Sequence, residues 1–565
     1  MSNRNPSSLA RRHWGLVIPV LALGIYLYNA YPEPGWIDSG ELAAVAHTLG
    51  VAHPPGCPLY VLIARCFVAL IPGSFFPLTL LSALAVSAGL AFLLYLPPFR
   101  RTNADRFAGA AIVLALALAP SVWKQATINE VYALQFGLLC LFIYCWWQVD
   151  SWRRLPLLAY LAGLSFAVHQ TAIFLIPFLL EAIWDRRRKL SAWLSLIGFG
   201  LLGTTPYAYM PIRFAVGPVL NWGGTHRWDA FWRHVTGWQY ANYAGIESWE
   251  VFKLCLKDLG GWLWACFPAA LLPLAVIGLF GLAMDRKKRR RLRIMLAGFA
   301  AAILFGLNFA SEDVEAFYLL AFIMIAVWVG YGIVLLASRY GKTGQATAVL
   351  AVLSVLILLP SHFTQLNRRD FRLATNWVRD AAETIPTGGI ILTAEWDHYS
   401  PWLYLRFVEG WRKDLFLLDT ELLRRSWFPD FVRQAAPQRY ARAKVALEVL
   451  RSQIDLFESG QSFDTATIEQ AYADAIYRLS LGQAGPVFID WTFQRHYLRG
   501  AHEVPWGLIP RAFRHDEAIA SPPVWPAYRN DTAQAFDDQR SRRQLEGYRR
   551  ARQIWQAYLV RLRQQ

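Results

Sequence analysis

Two carboxylates, Asp38 and Glu41, stand three residues apart in Gly35-Trp36-Ile37-Asp38-Ser39-Gly40-Glu41-Leu42, and His53-Pro54-Pro55-Gly56 follows. On a helix that begins near Asp38, this spacing puts both acids at one end. The competing reading is a capping arrangement, with Asp38 as N-cap and Glu41 at the third helical position. His53 before a Pro-Pro turn is, taken alone, more often structural than catalytic. A second polar cluster runs from Trp123 to Tyr132 and holds Lys124, Glu130 and Tyr132. Glu130 opens an apolar run, where an ionisable group is costly unless it faces a polar cavity; helix-dipole compensation is the alternative. Three more clusters are His169-Gln170, the stretch from Tyr207 to Arg213 leading to Asn221-Trp222, and Ser311-Glu312-Asp313-Val314-Glu315. Arg213 at a helix end has a snorkelling alternative.

An alcohol attacking a sugar C1 needs a base, because its proton becomes acidic only as the bond forms. A phosphate leaving group needs cationic support for its developing charge. Asp38 fits the first task, with Glu41 close enough to perturb or orient it. Arg213, Lys124 and His53 fit the second, and Glu130, Tyr132, His169, Gln170, Asn221, Trp222 and Asp313 are the expected substrate contacts. A lipid-phosphate donor explains why such a site would be assembled from helix ends. The chain has no GxxxxGK[ST], GxGxxG, HExxH or GxSxG run, so nucleotide-driven and hydrolase chemistry lack support. Its six cysteines form no CxxC pair and no Cys/His metal spacing, and neither a metal nor a cofactor is expected.

The elements that must position these residues follow from composition. Of 565 residues 55% are hydrophobic and 17% charged, too few charges for a soluble protein of this size. Twenty-five Trp, 24 Tyr and 34 Phe suit membrane interfaces and sugar-stacking surfaces. The net charge of +16 divides into +12 on residues 1–361 and +4 on 362–565, and most basic residues of the first part sit in clusters between apolar runs. That is the positive-inside pattern. Membrane lipid is therefore the expected partner, not nucleic acid.

The apolar runs are 14–31, 57–72, 75–98, 107–122, 131–149, 155–184, 190–212, 260–284, 294–310, 316–338 and 345–361. Keeping every basic cluster on one side forces two reinterpretations. Run 155–184 becomes two helices turning at His169-Gln170. Run 57–72 becomes an interfacial helix that brings His53 and Arg65 toward Asp38. Eleven spans result, with the N-terminus, after Arg11 and Arg12, inside and 362–565 outside. In the tail, β-type runs at 389–392, 415–418 and 486–489 alternate with helical stretches such as 464–480 and 532–563. The expected architecture is an α-helical polytopic membrane protein with about eleven transmembrane helices in 1–361 and a soluble α/β domain in 362–565.

The stretch Asp38-Ser39-Gly40-Glu41, continuing through Leu49-Gly50-Val51-Ala52-His53-Pro54-Pro55-Gly56-Cys57-Pro58-Leu59-Tyr60, resembles the opening signature of a membrane family. Its eukaryotic member is the endoplasmic-reticulum O-mannosyltransferase of plexin-type receptor domains. Asn129-Glu130-Val131-Tyr132, His169-Gln170, Pro211-Ile212-Arg213 with Asn221-Trp222-Gly223, and Val235-Thr236-Gly237 resemble it too, in order across residues 30–340. The resemblance implies a GT-C glycosyltransferase with a polyprenyl-phosphate-sugar donor, a non-cytoplasmic active site and Asp38 as base. It implies transfer, of mannose first, to protein Ser/Thr hydroxyls by single inverting displacement. A lipid or glycan acceptor is the alternative, and a transporter of lipid-linked material the rival. The expected location is a bacterial inner membrane, with the N-terminus cytoplasmic and the active site periplasmic. The tail departs from the family in carrying Glu395 and Asp397 where an Ala-Asp-Asn-Asp-like run is usual.

Overall fold

The computed structural model describes residues 14–564 except 149–152, 225–226, 244, 246–247, 269, 310–312, 484, 499, 533–535 and 537. The polar stretches between apolar runs set the helix ends. In chain order the first helices are α1 (Val17–Asn29), α2 (Ser39–Thr48), α3 (Pro58–Val68), α4 (Phe76–Leu94), α5 (Asn103–Leu118), α6 (Pro120–Thr127), α7 (Val131–Gln148) and α8 (Arg154–Phe166). They are followed by α9 (Ile176–Trp184), α10 (Leu190–Gly203), α11 (Tyr209–Val216), α12 (Trp228–Val235), α13 (Trp249–Cys266), α14 (Leu272–Met284), α15 (Arg289–Leu307) and α16 (Leu319–Ile357).

Among the described residues, Phe76–Leu94, Val131–Gln148 and Val314–Gln365 are long and apolar enough to cross a membrane. The pair α5–α6, bent by 64° where Pro120 restarts the helix, makes a fourth. The chain is a multi-pass membrane protein. Most of the other apolar helices that were expected as spans are shorter, from α9 with 9 residues to α10 with 14, while α15 has 19 residues but carries Arg289, Arg290, Arg291 and Arg293 in its first turns. Run 260–284 is not one helix: α13 ends at Cys266 and α14 restarts at Leu272 with proline in its first turn. Helix α16 contains Gly341 at φ 53°, ψ −124°, a break at the gap between runs 316–338 and 345–361. At His169 the chain turns as expected, its side chain accepting from the Thr171 N–H to start the 3-10 turn Gln170–Leu175.

Helix α3 is 11 residues, about 16 Å, against roughly 30 Å of hydrocarbon, and so cannot cross it. Pro58 at its start has a φ already suited to a helix.

The tail adds α17 (Leu359–Gln365), α18 (Leu373–Ala381), α19 (Trp396–Phe407), α20 (Phe428–Ala435), α21 (Pro437–Glu458), α22 (Thr465–Leu479) and α23 (Gln539–Gln564). Its sheet consists of β1 (Ile390–Thr393), β2 (Phe416–Asp419), β3 (Val487–Ile489), β4 (His502–Val504) and β5 (Arg511–Phe513) in the order β2-β1-β3-β5-β4. The three expected strands are the parallel ones, with Ile390 opposite both Phe416 and Val487. They are buried along their whole length, as parallel strands covered on both faces must be. The antiparallel β4 and β5 went unread because neither is an apolar run: they read His502-Glu503-Val504 and Arg511-Ala512-Phe513.

The tail does not have its core to itself. Trp402 and Leu405 of α19, with no exposed surface, belong to one apolar cluster with Leu42 of α2 and Val61 of α3. Burying such a side chain is worth about 1.5–3 kcal/mol, so several of them hold α19 firmly against α2.

Candidate active site

Asp38 has the N-cap position of α2, yet its side chain makes no capping hydrogen bond. Its Oδ1 accepts from the Trp396 indole N–H at 2.8 Å, and its Oδ2 lies 3.5 Å from His53 Nε2. Glu41, fully buried one turn on, does not complete a capping box either. Its Oε1 accepts the His53 backbone N–H at 3.1 Å, and its Oε2 lies 2.9 Å from His53 Nδ1. One imidazole is thus gripped by two carboxylates, one on each nitrogen. Burial alone disfavours the charged ring, but Asp38 and Glu41 outweigh it and push the His53 pKa up to about 10. At neutral pH His53 is an imidazolium. Trp222 stands edge-on to it at 6.3 Å and to Trp396 at 5.7 Å, forming a wall beside the cluster.

The tail fixes this loop at further points. Asp397 Oδ1 accepts the Ile37 N–H at 2.9 Å, and Ser400 Oγ accepts the Glu41 N–H at 2.9 Å. Ile37 has φ 61°, a conformation unfavourable for a β-branched residue and held here by that bond. At Gly40 a Cβ would lie 2.3 Å from the Ser400 carbonyl oxygen, so only glycine lets α2 and α19 cross this closely. From the membrane side, Asn129 Nδ2 donates to the Ser39 carbonyl at 3.0 Å, while its Oδ1 is held by the Tyr60 hydroxyl.

Beside the cluster opens a cavity of about 390 Å³, lined in part by Ile37, Lys124, Glu130, Tyr132, Asp313, Arg368 and Arg540. Glu130 is 9% exposed and, among the described residues, makes no hydrogen bond. Burial, then the charges of Asp38 and Asp313, push its carboxyl well above the usual range. Burial likewise raises Asp313 to about 6 against the pull of Lys124. Lys124 pairs with Glu315 and lies 3.9 Å from Asp313. Arg540 is bonded to Asp397, and Arg368 Nη2 lies 3.8 Å from Asp538. Trp262, Phe309 and Leu366 supply apolar wall. Cations beside an apolar wall suit a phosphate on a hydrocarbon tail.

The structure therefore brings together Asp38, Glu41 and His53, and sets Lys124, Glu130, Tyr132 and Asp313 around the neighbouring cavity. His169 packs behind Tyr132, ring centroids 5.0 Å apart, and the Gln170 amide donates to the Val235 carbonyl. Asn221 bridges to Val51 and faces a different cavity. Glu312 of the acidic cluster lies outside the described residues.

Two arginines are not brought to the cluster. Arg213 Nε donates to the Leu49 carbonyl at 2.7 Å, and Arg65 Nη1 to the His47 carbonyl at 2.6 Å. Both hold the opposite end of α2, whose ten residues span about 15 Å. The last carbonyls of a helix lack intrahelical partners and carry partial negative charge, and the guanidinium groups satisfy both needs. Reading the residues alone missed Trp396, Asp397, Arg368 and Arg540. The first two stand in Ala394-Glu395-Trp396-Asp397, the stretch where the tail departs from the family's usual run.

Residues 38–191 match the family model described as the protein O-mannosyl-transferase TMEM260 N-terminal domain. Over this segment the resemblance read from the motifs is borne out. The chain is 24% identical over 435 residues to protein O-mannosyl-transferase TMEM260 of Mus musculus, covering 69% of this chain and 60% of that protein. It is 26% identical over 246 residues to protein O-mannosyl-transferase tmem260 of Dictyostelium discoideum, covering 38% and 29%. The chain thus spans less than two thirds of the length of the relatives it matches. Among solved structures, ArnT from Cupriavidus metallidurans, bound to undecaprenyl phosphate, aligns with a TM-score of 0.44 at 14% identity over 86% of this chain and 94% of that one. The apo form of ArnT aligns with the same TM-score at 13% identity.

Proposed function

We propose that the chain is a membrane glycosyltransferase that moves a sugar, mannose first among the candidates, from a polyprenyl-phosphate donor to the hydroxyl of a protein acceptor. The observation that carries this is the Asp38 carboxylate, which is aimed by Trp396 and His53 instead of capping its helix, next to a cavity with cationic and apolar walls. The names of the similar O-mannosyltransferases support the same reading.

In this mechanism the acceptor oxygen attacks C1 of the sugar, the bond from C1 to the phosphate oxygen breaks with its electron pair going to phosphate, and the hydroxyl proton passes to Asp38. One displacement inverts the anomeric centre and needs no covalent intermediate. The imidazolium of His53 holds Asp38 and balances its charge, while Glu41 holds His53. Lys124, Arg368 and Arg540 are the cations nearest to the phosphate, in place of Arg213. Glu130, kept neutral, serves as a hydrogen-bond donor to a sugar hydroxyl. By the distribution of basic clusters we place this site and residues 362–565 on the non-cytoplasmic side of the membrane.

The test is transfer by the purified full chain from a panel of polyprenyl-phosphate sugars to a Ser/Thr peptide. Transfer from one or more donors, lost in Asp38→Asn, is the expected result. Full transfer by Asp38→Asn overturns the assignment of the base.

A further inference from the structure

A second cavity, of about 320 Å³, lies between residues 217–224 with helix α12 on one side and the tail helices α20 and α21 on the other. Gly217, Gly223 and Gly224 line its floor with left-handed backbone, and a Cβ at Gly217 or Gly224 would meet nothing within 4 Å, so the absent side chains leave it open. It adjoins a narrow neck, and Trp427 and Arg233 line both. The neck reaches Pro54, the residue after His53. Trp427 also packs against Trp222, their rings tilted by 42° with centroids 4.5 Å apart, and Trp222 is the wall beside His53. The base cluster therefore lies between two cavities, with Ile37 lining the first and Pro54 the neck of the second.

The polar groups of this second cleft are incompletely matched. Arg433 and Arg451 share the single carboxylate of Asp430, at 2.9 and 3.1 Å. Arg227 and Arg233 share Asp229 at 2.9 and 2.8 Å, with Asp455 and Glu458 farther off at 3.6 and 3.9 Å. Arg425, in the neck, has no carboxylate within ion-pair distance among the described residues. The side-chain carbonyl oxygen of Asn221, which lines the cleft, is buried and accepts no hydrogen bond among the described residues. Guanidinium groups sharing carboxylates have donors left for another, and an orphan amide oxygen asks for an N–H or O–H.

We propose that this cleft is the acceptor site, and that it takes an extended polypeptide segment whose Ser/Thr hydroxyl is flanked by acidic side chains. This rests on the transferase reading above. A peptide supplies both missing partners: carboxylates for Arg425 and Arg451, and backbone N–H groups for Asn221. Its hydroxyl reaches Asp38 past Pro54 and Trp222, opposite the lipid-linked donor. Acceptor and donor thus enter from different sides and meet at the base.

Binding is measured by fluorescence anisotropy of labelled Ser/Thr peptides on the detergent-solubilised full chain, with Glu-flanked, Lys-flanked and neutral versions. The Glu-flanked peptide is expected to bind about tenfold tighter than the Lys-flanked one, with Arg425→Gln or Arg451→Gln each costing about 3- to 10-fold. Arg433→Gln, at a 58% exposed side chain, is the second variant should either of these fail to fold. Equal binding of all three peptides, indifference to the arginine changes, or tighter binding of a neutral oligosaccharide overturns the peptide site. Transfer to the bound peptide, measured on the same preparation, reads the rest. Charge-dependent binding without transfer from any polyprenyl-phosphate sugar keeps the peptide site and overturns its role as acceptor site together with the transferase reading.

Discussion

The indole of Trp396 donates its N–H to Asp38 across 358 residues of sequence, joining the tail to the loop that follows the first helix. Asp38 therefore has its oxygens directed by two side chains, Trp396 and His53, and neither by the helix it precedes.

Since Asp38 does not cap α2 through its side chain, Asp38→Asn is expected to leave folding nearly intact while lowering turnover by about 10²–10⁴, the range for a lost general base. Thermal unfolding and transfer assayed on one preparation separate the two effects. A large drop in melting temperature with modest loss of rate would point to a structural role.

Trp396→Phe keeps most of the ring packing against Trp222 and Tyr399 but removes the N–H. A hydrogen bond to a charged group is worth about 1.5–3 kcal/mol, so kcat is expected to fall about 10- to 100-fold with little change in donor KM. Unchanged kcat would mean that Trp396 is only a packing residue.

His53 ties stability to pH. Its pKa rises from 6.5 to about 10 on folding, so its contribution is fully present below pH 6.5 and is lost as pH rises through 10. The melting temperature should decline over this alkaline window more steeply in the native chain than in His53→Gln. Parallel curves would show that the imidazolium is not held by Asp38 and Glu41.

Gly40→Ala would set a methyl group 2.3 Å from the Ser400 carbonyl oxygen, which is backbone and cannot swing aside. Separating α2 from α19 is expected to cost about 1–3 kcal/mol and to lower turnover by displacing Trp396 from Asp38. Loss of stability with normal turnover would break the link between this crossing and the base.

Arg213→Ala is expected to weaken the end of α2 by about 1–2 kcal/mol while leaving donor KM near normal. A rise of donor KM of tenfold or more would return Arg213 to the phosphate.

Much of the membrane part was legible because apolar runs, basic clusters and prolines act locally: hydrophobic length specifies a helix wherever its neighbours are. The three parallel strands were legible for the same reason, as each is a short continuous apolar run between turns. Asp38, Glu41 and His53 were legible as chemical types and as neighbours in sequence. Their roles were not. Local spacing made Asp38 and Glu41 a capping pair as readily as a catalytic one, and only the packing of α19 on α2 at Gly40 and Ser400 turned both carboxylates onto His53. Arg213 shows the converse, since its charge and position at a helix end suited phosphate until the fold placed it on the Leu49 carbonyl at the far end of α2. Periodicity reports which residues are buried together along one element. Which side chain from residue 396 meets which one at 38 depends on how two remote helices cross, and that is decided by tertiary packing alone.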